Sequence, residues 1–188
     1  MLRPIPFRRH HNRRGFSRYI ILILLLSFLI SSQWLFSQPT KSQEIIAANL
    51  KIVAADGDSF AIGNRKLRLK AIDAPELHQT CMDSDGAIWA CGLRARTALI
   101  ALLAEPGLKC QSDLSDRFGR ALAICSSNKT NDIGRALVMA GMAMSNEFKT
   151  MRTYGDEEDD ARVAKNGIWR GDFIPPKEWR ATHSRTKL

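Results

Sequence analysis

Five side chains in this sequence could do chemistry in combination: Asp58, Arg68, Asp73, Glu76 and Arg120. Singly each is ordinary, because charged residues are mostly exposed and solvated. Asp56-Gly57-Asp58 is in the first place a turn composition. Together they supply two aspartates, a glutamate three residues after the second, an arginine between the aspartates and another in a later strand–turn. Hard carboxylate oxygens without His or Cys favour Ca²⁺ or Mg²⁺ over zinc. Such an ion polarises a phosphoryl oxygen and helps to position water. A carboxylate not used as a ligand can act as general base. Guanidinium forks grip phosphate oxygens in a way lysine cannot reproduce. The set suits phosphodiester hydrolysis.

Positioning these groups needs a strand ribbon. From Asn49, LKIVAAD runs into the Asp56–Asp58 turn, SFAI follows, and Gly63-Asn64 punctuates. RKLRLKAI then alternates, with Leu67, Leu69 and Ala71 on one face and Lys66, Arg68 and Lys70 on the other. If Gly63-Asn64 closes a hairpin, residue 58 lies near residue 69, and Asp58 and Asp73 share one end of the ribbon. A loop with Pro75 leads to CGLRARTALIALLAEPG, a helix whose inward stripe is read as Leu93, Ala95, Leu99, Leu102 and Leu103. LKCQSD and RALAICSS are strands flanking Asp116–Arg120. A second helix, TNDIGRALVMAG, is capped by Asn131 or Asp132. A third follows Tyr154, with the acidic run Asp156–Asp160 on a solvated face near the positive end of the helix dipole. From Gly171 the sequence reads as a packed strap, anchored by Trp169 and Trp179, and a frayed end. The expected class is α+β: a five-stranded Greek-key barrel of OB type with three helices. A serial α+β sandwich is the rival.

Ahead of this domain lies a different kind of sequence. Residues 1–38 hold six of the 28 basic residues and no acid, so the remaining 22 face 19 acids and the net charge of +9 falls to +3. The high charge therefore belongs mostly to the leader, and +3 predicts modest, salt-sensitive affinity for a polyanion. An arginine cluster precedes the 18-residue apolar stretch YIILILLLSFLISSQWLF, residues 19–36. A basic region followed by an apolar one is an export signal, and 18 residues also suffice to span a tilted bilayer. Cleaved signal and retained anchor both stay open for residues 1–40. Asn12–Arg18 resembles a twin-arginine export signal, with ordinary secretory arginines as the alternative. Export makes Cys81, Cys91, Cys110 and Cys125 an even set in an oxidising compartment. Three pairings are possible; Cys81–Cys91 with Cys110–Cys125 is favoured because each closes a short loop. The cysteines lack zinc-ligand spacing.

The stretches VAADGDSFAIGNRKLRLKAIDAPE, CGLRARTAL, DRFGRALAIC, DIGRALVMAGMA and ARVAKNGIW, in that order over residues 49–170, resemble the staphylococcal nuclease (thermonuclease) family. The resemblance implies an OB-fold nuclease domain over residues 45–170, followed by a tail at 171–188, and Ca²⁺-dependent cleavage of DNA and RNA to 3′-phosphorylated products. It implies that Asp58, Asp73 and the backbone carbonyl of Ala74 bind calcium. It further implies that Glu76 is the general base and that Arg68 and Arg120 contact the phosphate. Ser59 stands where the family usually has Thr, and Phe118 where Tyr is common. The loop carrying Cys81 and Cys91 resembles exported proteobacterial members.

The expectation is thus an exported monomeric nuclease, periplasmic or secreted, that meets a membrane only through its N-terminal segment. Three alternatives come from other classes. One is an accessory protein in another pathway such as succinoglycan-type exopolysaccharide production. The others are a non-catalytic nucleic-acid-binding module and a membrane-anchored interaction protein. N-terminal sequencing of the exported protein tests the leader: a start at residue 1 or 2 reports the anchor, and a later start reports cleavage.

Overall fold

The computed structural model describes residues 42–46, 50–148 and 151–183. The leader, residues 19–36 included, lies outside them. The expected ribbon forms from β2 (Ile52–Ala54), β3 (Ser59–Ile62) and β4 (Arg65–Leu69). Ser59 pairs with Arg68 and Ile62 with Arg65, so Gly63-Asn64 is the turn. The Leu69 amide donates to the Asp58 carbonyl at 2.8 Å, the juxtaposition that the hairpin arithmetic requires. Phe60, Ile62, Leu67 and Leu69 turn inward to the core, as alternation dictates.

Beyond the ribbon, β4 pairs in parallel with β9 (Ala121–Ser126), which pairs antiparallel with β8 (Lys109–Ser115). A parallel partner for the third strand of a meander is the OB-type arrangement. β1 (Gln43–Ile46), which the sequence reading did not include, adds to the free edge of β8. The five expected strands are β2, β3, β4, β8 and β9, and with β1 added they form a curled six-stranded sheet in the order β1-β8-β9-β4-β3-β2. The minor pairs are β5 (Ile72–Asp73) with β10 (Met144–Ser145), β6 (Cys81–Met82) with β7 (Ile88–Trp89), and β11 (Glu147–Phe148) with β12 (Met151–Arg152).

Helix α1 (Cys91–Leu103) packs on this sheet through Ala95, Leu99 and Leu103, and ends before Pro106-Gly107. Leu93 does not belong to that stripe and is 49% exposed. Helix α2 (Ile133–Met139) is capped by Asp132, whose carboxylate accepts the Arg135 amide and the Tyr154 hydroxyl. In α3 (Gly155–Val163) the acidic run is only partly solvated. Glu158 is 2% exposed, accepting the Ser145 amide and pairing with Arg162. A 3₁₀ turn (Gly167–Arg170) follows, and then a fourth helix, α4 (Pro176–Thr182), where a strap and a frayed end were expected. Proline at its first position, an acid in its first turn and an arginine in its last are ordinary helix signals, obscured by the preceding Pro-Pro.

Both disulfides are present as favoured, Cys81–Cys91 and Cys110–Cys125. The first sits in a small apolar cluster with Ile168, Trp89, Trp169 and Phe173, so Trp169 anchors the segment after the 3₁₀ turn. Trp179 instead stacks on His183, the residue that caps the end of its own helix.

Two glycines let the elements close. A Cβ on Gly57 would lie 2.7 Å from the Cβ atoms of both Ala74 and Ala95, and one on Gly92 would collide with the Glu76 carbonyl. Gly57→Ala should therefore lose about 1–3 kcal/mol of stability through overpacking. Urea denaturation would show this as a lower midpoint, and an unchanged midpoint would disprove the close packing of turn on helix.

Candidate functional site

The site grows out of two side-chain-capped turns. At the first, Asp56 Oδ1 accepts the amides of Asp58 (3.0 Å) and Ser59 (2.7 Å), folding the chain so that Asp58 enters the protein at 2% exposure. At the second, Asp116 Oδ1 accepts the amides of Phe118 (2.8 Å) and Arg120 (3.0 Å), while its Oδ2 takes Arg120 Nε at 2.7 Å. Both are short polar side chains that replace backbone partners in a tight bend.

Asp73 arrives by a third device. Ala71 adopts a left-handed φ of 62°, reversing the chain directly after β4 and bringing Asp73 back beside Arg68. The Asp73 backbone is then held by β5 pairing with β10. Arg68 bridges the aspartates, with Nη1 at 2.6 Å from Asp58 Oδ1 and Nη2 at 2.8 Å from Asp73 Oδ1. The other oxygen of Asp58 accepts the Ala74 amide at 3.0 Å.

The remaining groups join as a chain of contacts. Ser59 Oγ donates to Asp58 Oδ1 at 2.7 Å and accepts Arg120 Nη1 at 3.0 Å, linking the second arginine to the first aspartate. Glu76 is placed by buried Gln79, whose side-chain Oε1 accepts the Glu76 amide at 3.1 Å and whose backbone N–H donates to the Glu76 carbonyl at 2.8 Å. Glu76 and Arg120 line a common cleft of about 430 Å³, together with Asp56, Ser59 and Lys66. Phe118 is 59% exposed, its ring 4.8 Å from the Arg117 guanidinium carbon and 5.6 Å from that of Arg120.

The structure thus brings Asp58, Arg68, Asp73, Ala74, Glu76 and Arg120 together. It adds one residue that sequence reasoning missed. Arg180, on α4, donates from Nη1 to Asp73 Oδ1 (2.9 Å) and to Glu76 Oε1 (3.0 Å), and from Nη2 to Asp73 Oδ2 (2.9 Å). The positioning roles of Gln79 and Gly92 were also missed. Gln79 carried no signal; Gly92, just after Cys91 at a helix start, was the one detectable hint.

Burial pushes the Asp58 carboxyl up to about 7, with Arg68 opposing and Asp56 reinforcing that rise. The Arg68 guanidinium is raised, since Asp58 and Asp73 outweigh its own desolvation. Asp116 sits below the usual carboxylate range: desolvation opposes this, and the amides of Arg120 and Phe118 with the Arg120 guanidinium prevail.

Does the donor set fit a cation? Among the described residues, no group of three or more His, Cys, Asp or Glu side chains forms a ready-made cage. The available donors are two carboxylates and the Ala74 carbonyl, all hard oxygens, which suits an ion that keeps part of its water shell. Two guanidiniums already neutralise those carboxylates, so the pair attracts positive charge in this very arrangement.

An OB-type curled sheet with carboxylates and arginines converging beside an open cleft defines a nuclease-like protein. The chain belongs to the family described as staphylococcal nuclease homologue, whose family model matches residues 66–171. It is 33% identical over 116 residues to the succinoglycan biosynthesis protein ExoI of Rhizobium meliloti (strain 1021), covering 61% of each chain. It is 28% identical over 137 residues to the probable staphylococcal-like nuclease CAN2 of Oryza sativa subsp. japonica, covering 71% of this chain and 34% of that one. The chain thus spans about three fifths of the first relative's length and one third of the second's. The matched region includes Arg68, Asp73, Glu76 and Arg120; Asp58 precedes it and Arg180 follows it.

The buried charge of Asp58 has a stability consequence. Raising a carboxyl from 3.8 to about 7 corresponds to about 4 kcal/mol against its charged form. In Asp58→Asn that cost vanishes, while the Ala74 amide loses its acceptor at about 1–3 kcal/mol. The net expectation, in chelator at pH 8, is a melting temperature raised by about 5 °C. Because the folded-state pKa is raised, the wild type loses this contribution as pH climbs from the unfolded value through about 7. The gap between the two proteins should therefore widen from pH 4 to 7 and then level off. Thermal melts across that range check it; a gap that narrows with pH would refute it.

Proposed function

We propose that the chain is an exported, Ca²⁺-dependent nuclease that hydrolyses phosphodiester bonds in DNA and RNA. The observation that carries the reading is the bridge of Arg68 across Asp58 and Asp73, with Glu76 and Arg120 lining the adjoining cleft. Asp58, Asp73 and the Ala74 carbonyl would hold the ion, which supplies polarisation of a phosphoryl oxygen when bound. Arg68 and Arg120 are the forks for phosphate oxygens, strongest in effect as charge builds on phosphorus. Glu76 accepts a proton as water forms its bond to phosphorus. The bond to the 5′ oxygen breaks, that oxygen takes a proton from solvent, and a 3′-phosphorylated product remains.

Export is supported by the basic, apolar leader and by two disulfides in the folded part. The protein acts as a monomer in the periplasm or outside the cell, or anchored through residues 19–36. A second reading has one observation in its favour, the similarity to a succinoglycan biosynthesis protein. In that reading the domain serves exopolysaccharide production.

Fluorogenic DNA and RNA oligonucleotides discriminate between them. The first reading expects cleavage with Ca²⁺, none in chelator, and a loss of about 10³-fold in kcat for Glu76→Gln. Equal cleavage by wild type and Glu76→Gln would sink the mechanism, and no cleavage by the wild type would favour the second reading.

A further inference from the structure

Arg180 occupies the place where a metal-bound site would need free carboxylates. Its guanidinium engages both oxygens of Asp73 and reaches Glu76, so one side chain ties up a proposed ligand and the proposed base at once. The carboxylates in turn hold the guanidinium firmly charged, raising its pKa against partial desolvation. The contact lies beyond the residues matched by the family model, at the end of a segment built to deliver it.

That delivery can be traced atom by atom. The Met82 amide donates to the Asp172 carbonyl at 2.8 Å, and Gln79 Nε2 donates to the Ile174 carbonyl at 2.6 Å. Gly171 lies so close to the Met82 carbonyl that a Cβ there would collide with it. Phe173 meets Trp169 edge-on, with centroids 5.0 Å apart. The strap is therefore fixed along the loop that Cys81–Cys91 closes, and Gln79 serves both the strap and Glu76. Helix α4 itself is held differently. It is seven residues long and, of these, only Pro176 is buried. A helix so short has little stability of its own, so the contacts of Arg180 dominate its attachment. A firm root with a weakly held tip is the construction of a displaceable element.

We propose that α4 is an intramolecular plug, in which Arg180 stands in for the divalent cation and must be displaced before Asp73 and Glu76 can serve the site. Arg180 thereby sets the calcium concentration at which the site assembles. The inference rests on the calcium reading above, and it concerns the equilibrium before substrate arrives. A guanidinium and a cation compete for the same Asp73 oxygens, so whatever Arg180 gains from them is subtracted from metal affinity.

The test uses the full chain, stripped of metal and titrated with Ca²⁺ in a calorimeter without nucleic acid. Arg180→Ala should bind Ca²⁺ about tenfold more tightly than the wild type, or better. Arg180→Lys should fall between, because an ammonium cannot form the two-pronged contact. In the wild type, saturating Ca²⁺ should speed amide hydrogen exchange at Trp179 and His183, whose amides are bonded within α4, and leave the Met82 amide, bonded to the Asp172 carbonyl at the strap's root, protected. Equal or weaker Ca²⁺ binding by Arg180→Ala, or no binding by either protein, overturns the plug. So does Ca²⁺-independent exchange in α4. Cleavage is read separately. Tighter binding by Arg180→Ala without DNA cleavage by any variant keeps the plug and removes the nuclease reading. Unchanged binding with slower cleavage removes the plug and makes Arg180 a third substrate-contacting arginine.

Discussion

Two acidic side chains forced into one small, poorly solvated space dominate this molecule. Asp58 and Asp73 repel each other and both lose water on burial, so the fold survives only by bringing positive charge to them. Arg68 does so from the strand beside Asp58, and its guanidinium plane spans both. Everything nearby follows from keeping that triad together. The Asp56 turn sets Asp58, the left-handed bend at Ala71 returns Asp73, and the glycine at position 57 lets the turn reach Ala74 and α1. Electrostatic tension of this sort is what the proposed cation site would draw on: Arg68 and Arg180 answer the charge of Asp58 and Asp73, and an ion would compete for the same oxygens.

Seen this way, the sheet is a device for bringing distant charges together. The parallel pairing of β4 with β9 aligns Arg68 with Leu122, and that strand begins just after Arg120. Ser59 completes the connection by donating to Asp58 while accepting from Arg120. A hydroxyl one residue after the buried aspartate is thus a relay between two arginines' territories. The family's usual Thr at that position offers the same hydroxyl, which accounts for how Ser59 fills the role.

Much of this was legible in the residues, and the reasons differ from case to case. The hairpin was readable because alternation in RKLRLKAI and the Gly63-Asn64 turn jointly fix the register, and register fixes which residues face each other. The disulfide pairing followed from short loop closure between neighbouring elements. What escaped detection depended on tertiary context. Leu93 fits a helical stripe by spacing, yet α1 is buried through Ala95, Leu99 and Leu103 and leaves Leu93 on its outer side. Glu158 looks like its acidic neighbours until the Ser145 amide and Arg162 are seen to enclose it. β1 is a strand only because β8 offers an open edge. Arg180 was hidden behind Pro175-Pro176, where a reader expects the chain to stop, and its partners lie 104 and 107 residues earlier.

The bond between Cys110 and Cys125 joins directly paired residues of β8 and β9, both fully enclosed by the core. Those strands form the arm whose far end is the Asp116–Arg120 turn. A covalent rivet at the root, closing a separation of 15 residues, removes about 3 kcal/mol of disorder from the unfolded arm. The reach of Arg120 towards Ser59 is thus underwritten by thiol chemistry at the other end of the same two strands. Before that bond forms the unfolded arm has more conformations to lose, so the redox character of its surroundings bears on how readily the protein assembles the turn that carries Arg120.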